Sequence, residues 1–173
     1  MSELDSNLSV PGHNNATYGP IPRSEQLFNI EFLEIAPTPW EMDKYFFTLL
    51  RGYILDSKVD DAENLDKLLA NATVKISLCV VLPSGKELPP REYTIPLRTI
   101  AFQTFAHVSI RDTTGNYMAH LTAGNMNDIL TDYMIPAMFI ERGTWNFGVL
   151  AELEDGRYLF AIELTQWLEG RRE

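Results

Sequence analysis

Residues 143–168 read GTWNFGVLAELEDGRYLFAIELTQWL. Trp145, Phe147, Val149, Ala151 and Leu153 alternate with mostly more polar residues. After Glu154-Asp155-Gly156-Arg157, the residues Tyr158, Phe160, Ile162 and Leu164 alternate again. Successive side chains of a strand point to opposite faces, so this pattern predicts an antiparallel hairpin with one apolar face. A sheet with one apolar face must bury it against a second layer.

The same signature recurs upstream. Leu27–Ile35 reads as a strand with Phe28, Ile30 and Phe32 on one face, stopped by Pro37-Thr38-Pro39 because proline cannot donate to a ladder. Lys44–Leu55 is apolar on both faces, with Tyr45, Phe47, Leu49 and Tyr53 set against Phe46, Leu50 and Ile54. That predicts a strand covered on both sides, or one whose second face meets a partner. Ser57–Ala70 carries Val59, Ala62, Leu65, Leu68 and Leu69 at helical spacing and predicts a short amphipathic helix. In Thr73–Leu82, Val74, Ile76, Leu78, Val80 and Leu82 face inward. Glu92–Leu97 is expected at an edge, since Pro89, Pro90 and Pro96 limit its pairing. Ile100–Arg111 is expected as one strand with Phe102, Val108 and Ile110 inward, turned back through Asp112-Thr-Thr-Gly115 into Asn116–Ala123. Gly124–Tyr133 holds Met126, Ile129, Leu130 and Tyr133 and reads as a helical turn. Strands joined by turns without βαβ alternation place the chain in the all-β class, as a sandwich or barrel with one or two short helical insertions.

At 173 residues the chain fits one domain, expected over 25–173. Residues 1–24, rich in Ser, Asn, Gly and Pro, read as a flexible arm or a strap laid over the domain. The net charge of −10 repels phosphates and argues against nucleic acid or an anionic membrane as partner. The single cysteine, Cys79, excludes an internal disulfide and sits in an apolar run that marks it as a small core or near-core residue. The opening residues lack a basic and apolar leader, and no segment has the ~20 apolar residues needed to span a bilayer, so a cytoplasmic protein is expected.

No phosphate loop, dinucleotide glycine fingerprint, zinc-protease helix or serine nucleophile elbow occurs, and no cofactor is expected. One geometric pairing stands out. If Ile100–Arg111 and Asn116–Ala123 form a hairpin, His107 lies opposite His120. Two imidazoles can act as an acid/base pair, touch a polar ligand, or belong to a solvated face. Gln103, Ser109, Thr122 and Arg111 share that face and supply no convincing third ligand, so no metal is expected. Asp43, which opens the second strand, and the phenol of Tyr45 complete the catalytic candidates.

The order of four pieces resembles the MD-2-related lipid-recognition (ML) family, which includes sterol carriers of the Niemann-Pick C2 type and fungal phosphatidylglycerol/phosphatidylinositol transfer proteins. The pieces are the strand and proline corner Phe32-Leu-Glu-Ile-Ala-Pro37-Thr-Pro39-Trp40, the long apolar strand Tyr45–Leu55, Asn71-Ala-Thr-Val-Lys-Ile, and the closing hairpin from Ile135-Pro136 through Gly143-Thr-Trp145 to Asp155-Gly156-Arg157-Tyr-Leu-Phe160. The resemblance spans residues 27–168 and implies an immunoglobulin-like antiparallel sandwich whose sheets splay to admit an apolar ligand. Most members are secreted and pinned by disulfides, which this chain cannot form. A family cysteine near the start of the last strand is replaced by Phe160 or Ala161.

On that reading Trp40 stands at the pocket rim, and Phe47, Tyr53, Ile76, Leu78, Phe102, Trp145, Phe147, Tyr158 and Phe160 line its walls. The ligand would be a lipid, sterol, terpenoid or polyketide. A second reading makes the same cavity the site of a cofactor-independent cyclase or isomerase. A third makes the chain an interaction module, forming a homodimer through an exposed strand. Periodicity is equally compatible with a filled core.

Overall fold

The hairpin that organises the sequence also organises the fold. A computed structural model describes residues 8–55, 61–103 and 106–171, and for residues 101–103 the backbone alone. In chain order the strands are β1 (Thr17–Tyr18), β2 (Phe28–Ala36), β3 (Tyr45–Ile54), β4 (Thr73–Val81), β5 (Arg91–Pro96), β6 (Ile100–Gln103), β7 (Ala106–Asp112), β8 (Tyr117–Met118), β9 (Met126–Met134), β10 (Gly143–Glu152) and β11 (Tyr158–Leu168). The helix α1 covers Ala62–Ala70. It starts where Asp61 accepts the Asn64 backbone N–H at 3.1 Å, and it buries Leu65 and Leu69. The remainder of the expected helix, Ser57–Asp60, lies outside the described residues.

The strands form two antiparallel sheets, so the expected all-β sandwich is what the chain builds. One sheet runs β1-β11-β10-β4-β5; the other runs β2-β3-β9-β7-β6, with β8 paired to β7. In the first sheet Phe147 lies between Leu164 and Leu78, and Val149 between Ile162 and Ile76. These apolar residues therefore form continuous rows on the inner face. The β10–β11 turn closes through Gly156 N–H to the Leu153 carbonyl at 3.0 Å, with Gly156 at φ +86°.

Four expectations change. The first strand carries a bulge between Ile30 and Phe32, so Phe28, Ile30, Leu33 and Ile35 face in while Phe32 turns outward under the Arg51 guanidinium. The single strand expected over Ile100–Arg111 is two strands, β6 and β7, paired antiparallel. Gly124–Tyr133 is no helical turn: it contains most of β9, the central strand of its sheet. The return after Asp112 pairs only over Tyr117–Met118, with Ile110 opposite Met118, one residue off the register that would bring His107 against His120.

The N-terminal segment from Leu8 onward is a strap, not a flexible arm. Its backbone closes one long edge of the sandwich: β1 pairs with β11, while the Leu33 and Ile35 N–H groups of β2 donate to the Pro11 and His13 carbonyls at 2.8 and 3.1 Å. Asn14 ties the strap by donating to the Leu33 carbonyl at 2.8 Å. Val10, Ala16 and Tyr18 join the core from this strap. Cys79, expected near the core, stands half-buried on the outer face of β4 opposite Asn146.

The strap's fit rests on Gly12, which has φ +108° and whose missing Cβ would lie 2.4 Å from the Leu33 carbonyl oxygen. Replacing Gly12 with alanine is expected to lower stability by about 2–4 kcal/mol, combining left-handed strain with a steric clash. The equivalent change at Gly156, where no atom lies within 4 Å of the added Cβ, should cost only about 1 kcal/mol. Urea midpoints of the two variants against the parent check the difference.

Candidate functional site

Burial along the inner faces is not uniform. On β4, Val74 and Val80 are buried, but Ile76 and Leu78 between them are partly exposed. On β10, Ala151 and Trp145 are buried, whereas Val149 and Phe147 between them are partly exposed. The opposite sheet shows the same step: Leu50 and Ile129 are buried, and Thr48, Thr131 and Tyr133 beyond them are partly exposed. The buried core accordingly falls into two clusters. The larger contains Phe28, Leu50, Ile54, Ile110, Ile129 and Phe160; the smaller contains Val80, Leu82, Ile140, Trp145 and Leu168. Trp40 and Phe147 pack against both while remaining partly buried.

A row of rings crosses from one sheet to the other at this level. Tyr133 stacks on Phe46 at 5.6 Å, Phe46 stacks on Trp40 at 4.4 Å, and Trp40 meets Phe147 edge-on at 4.9 Å. Trp145 follows at 6.1 Å and donates from its indole N–H to the Glu141 carbonyl at 3.0 Å. Such pairs each contribute about 0.5–1.5 kcal/mol beyond area burial. The proline corner Ala36–Pro39 brings Trp40 into this row; the Thr38 hydroxyl fastens the corner to the Ile35 carbonyl at 2.7 Å.

The residues expected at the site divide by face. Trp40, Ile76, Leu78, Trp145, Phe147 and Phe160 all belong to the inner core layer or pack against it. Phe160 sits at the strap side against Phe28, at 5.7 Å between ring centres. Tyr158 lies near it, opposite Glu152 and bridged to Gln26. Phe47 and Tyr53 lie on the outer face of β3, Phe47 with 56% of its surface exposed, because their neighbours Phe46 and Ile54 take the inner positions. The Phe102 side chain lies outside the described residues.

The catalytic candidates do not converge. His107 Nδ1 lies 3.1 Å from the Asp132 carboxylate of β9 on the outer face, while His120 Nδ1 lies 2.8 Å from the Leu121 carbonyl. Tyr45 is 43% exposed on the outer face. Asp43 accepts the Ala137 backbone N–H at 2.9 Å and braces the Ile135–Phe139 turn. Among the described residues no three of His, Cys, Asp and Glu converge as metal ligands. The outer face carries a shallow groove of about 380 Å³ lined in part by Phe47, Leu49, Leu130 and Asp132, and bordered also by Thr48 and Thr131 of the same two strands.

The polar groups that sequence reasoning passed over are Thr48 and Thr131. They stand opposite each other on β3 and β9, and their hydroxyls hydrogen-bond one another on the inner face. Their pairing depends on β9 being a strand, for which the sequence pattern gave no signal. Tyr133, two residues along, has its phenol pushed up to about 12 by burial, with the Asp132 carboxylate adding in the same direction.

Compared with known proteins, the sequence matches no family model and no curated protein. Among the described residues no helix is long and apolar enough to cross a membrane.

The Tyr133 shift has a signed consequence for stability. Below about pH 10 the phenol is neutral in both folded and unfolded chains. From there up to about 12 the unfolded chain ionises first, so stability falls as pH rises through this window. Tyr133→Phe should remove that share of the alkaline decline, read from urea midpoints collected across the window.

Proposed function

We propose that this protein binds a hydrophobic small molecule between its two sheets. The observation that carries the reading is the dip in burial at mid-core: Ile76, Leu78, Val149 and Phe147 are core-facing yet more exposed than the residues flanking them on both sides. A filled sandwich buries its middle rows best, because they are farthest from either open end. A gap between splayed sheets reverses that order, and apolar side chains left facing it favour an apolar occupant. The strap closes the β2/β11 edge, and in this reading the ligand enters from the β5/β6 edge. On β5, Ile95 packs against the core only partly buried and Tyr93 is 51% exposed. The resemblance to the ML family, with its splayed sandwich holding a lipid, sterol, terpenoid or polyketide, supports the same reading.

Binding is favoured over cyclase or isomerase chemistry. A general acid or base works best with a pKa near the operating pH. The inner-face phenol of Tyr133 is shifted away from neutrality, so it serves as a fixed neutral dipole. His107 and Asp132, the pair best suited to proton transfer, lie on the opposite side of the sheet.

A space-filling substitution separates a gap from a packed core. Val149→Phe is expected to leave the urea midpoint unchanged or raised and to abolish the fluorescence gained by the apolar probe N-phenyl-1-naphthylamine. Ala151→Phe, one row along in the fully buried layer, should destabilise by about 1–3 kcal/mol through overpacking. Equal destabilisation by both changes would show a filled core and overturn the reading. Native mass spectrometry of protein purified without denaturant gives a second check: a co-purifying apolar adduct is expected from the parent and lost from Val149→Phe.

A further inference from the structure

The walls of the proposed gap differ in chemistry. The wall from β4 and β10 presents Ile76, Leu78, Val149 and Phe147, with no polar side-chain atom. The facing sheet presents Thr48, Thr131 and Tyr133 on its inner face at the level where burial drops. A hydroxyl has one donor and two acceptor lone pairs. The Thr48–Thr131 bond uses one donor and one lone pair. One O–H therefore remains without a partner among the described residues, on a surface facing an apolar layer. A half-buried donor of this kind is open to an acceptor, from water or from a ligand.

The charges around the gap are turned away from it or already paired. On β3, β7 and β9 the ionic groups occupy the outer face: Arg51 forks onto Asp128 at 2.6 and 2.7 Å, and His107 holds Asp132. Arg91, in register with Leu78 at the sheet edge, is held by Glu141 at 3.2 Å and lies over the Trp145 ring. No described cation on the inner face is left to neutralise a carboxylate or phosphate, and a buried charge without a partner is strongly disfavoured.

We propose that the ligand of the inter-sheet gap is uncharged and carries a hydroxyl, ketone or ether oxygen that accepts a hydrogen bond from the Thr48–Thr131 hydroxyl pair. The proposal rests on the binding reading above and adds to it the polarity of the ligand and its orientation. The apolar body lies against Ile76, Leu78, Val149 and Phe147, and the oxygen lies against β3 and β9. Thr48 and Thr131 are then the residues that set specificity.

A matched isoprenoid set tests this: farnesol, farnesene and farnesoic acid, each displacing N-phenyl-1-naphthylamine from the full chain. The alcohol should bind roughly tenfold more tightly than the hydrocarbon, the worth of about one net hydrogen bond. The carboxylate should bind more weakly than the alcohol at neutral pH and recover as the pH falls and it becomes neutral. Valine matches threonine in shape and lacks the hydroxyl. Thr48→Val/Thr131→Val should erase the alcohol's advantage while leaving farnesene binding within about twofold, since the apolar contacts that carry it are untouched. If the probe binds but alcohol and hydrocarbon compete equally, or the acid competes best, the polarity inference falls and the gap stands. If the probe does not bind at all, both fall together. Should the double variant fail to fold, the ranking of the three ligands on the parent protein still decides.

Discussion

Everything distinctive about this sandwich depends on how one of its long edges is closed. The strap supplies backbone partners to both sheets, through β1 to β11 and through the Pro11 and His13 carbonyls to β2. Gln26 adds a side-chain tie, donating to the Ile21 carbonyl at 2.9 Å and accepting the Ala161 N–H at 3.2 Å. These are main-chain or fully buried amide groups, which are costly to leave unsatisfied, so the seam holds as a unit. Its flanks are well buried: Leu159 and Ala161 have no exposed surface and Phe28 only 2%.

The consequence is a gradient across the core. Near the strap, rings and branched chains from both sheets meet directly, as Phe28 meets Phe160. Farther along the strands the contact between sheets is made through a third element, the proline corner, which inserts Trp40 between Phe46 and Phe147. Trp40 and Phe147 accordingly pack against two clusters that no fully buried side chain joins.

How far this was legible in the sequence follows from where each signal resides. The closing hairpin was readable because turn and alternation are local, and both survive in the register of Val149 with Ile162. β4 was readable for the same reason. β9 was not. Its Met126, Ile129, Leu130 and Tyr133 mimic helical spacing, while the alternation that makes it a strand depends on Asp128 and Asp132 facing outward to Arg51 and His107 on neighbouring strands. Those partners are far away in the chain. The strap was only half readable, because its polar composition says nothing of carbonyls spent on another strand's N–H groups. The inward positions of Ile76, Leu78 and Phe147 were readable from alternation, while Phe47 and Tyr53 proved to face outward and the threonine pair was hidden behind the misread strand that supplies half of it.

Acidic composition and an apolar interior are here two sides of one arrangement. Each strand of the β2–β7 layer must place its polar side chains on one face or the other, since alternation allows no third choice. Arg51, Asp128, His107 and Asp132 take the outer face in adjacent cross-strand pairs. His107 and Asp132 keep access to water there, where pairing costs little desolvation, whereas Asp128 is buried and is held by the two-pronged contact from Arg51. What remains for the inner face beyond Leu50 and Ile129 is threonine and tyrosine. Neither carries a charge at neutral pH, since burial keeps the Tyr133 phenol protonated up to about 12. The neutral character expected of the ligand is therefore set by the register of β3 with β9, which sends every described charge on these two strands to the other side of the sheet.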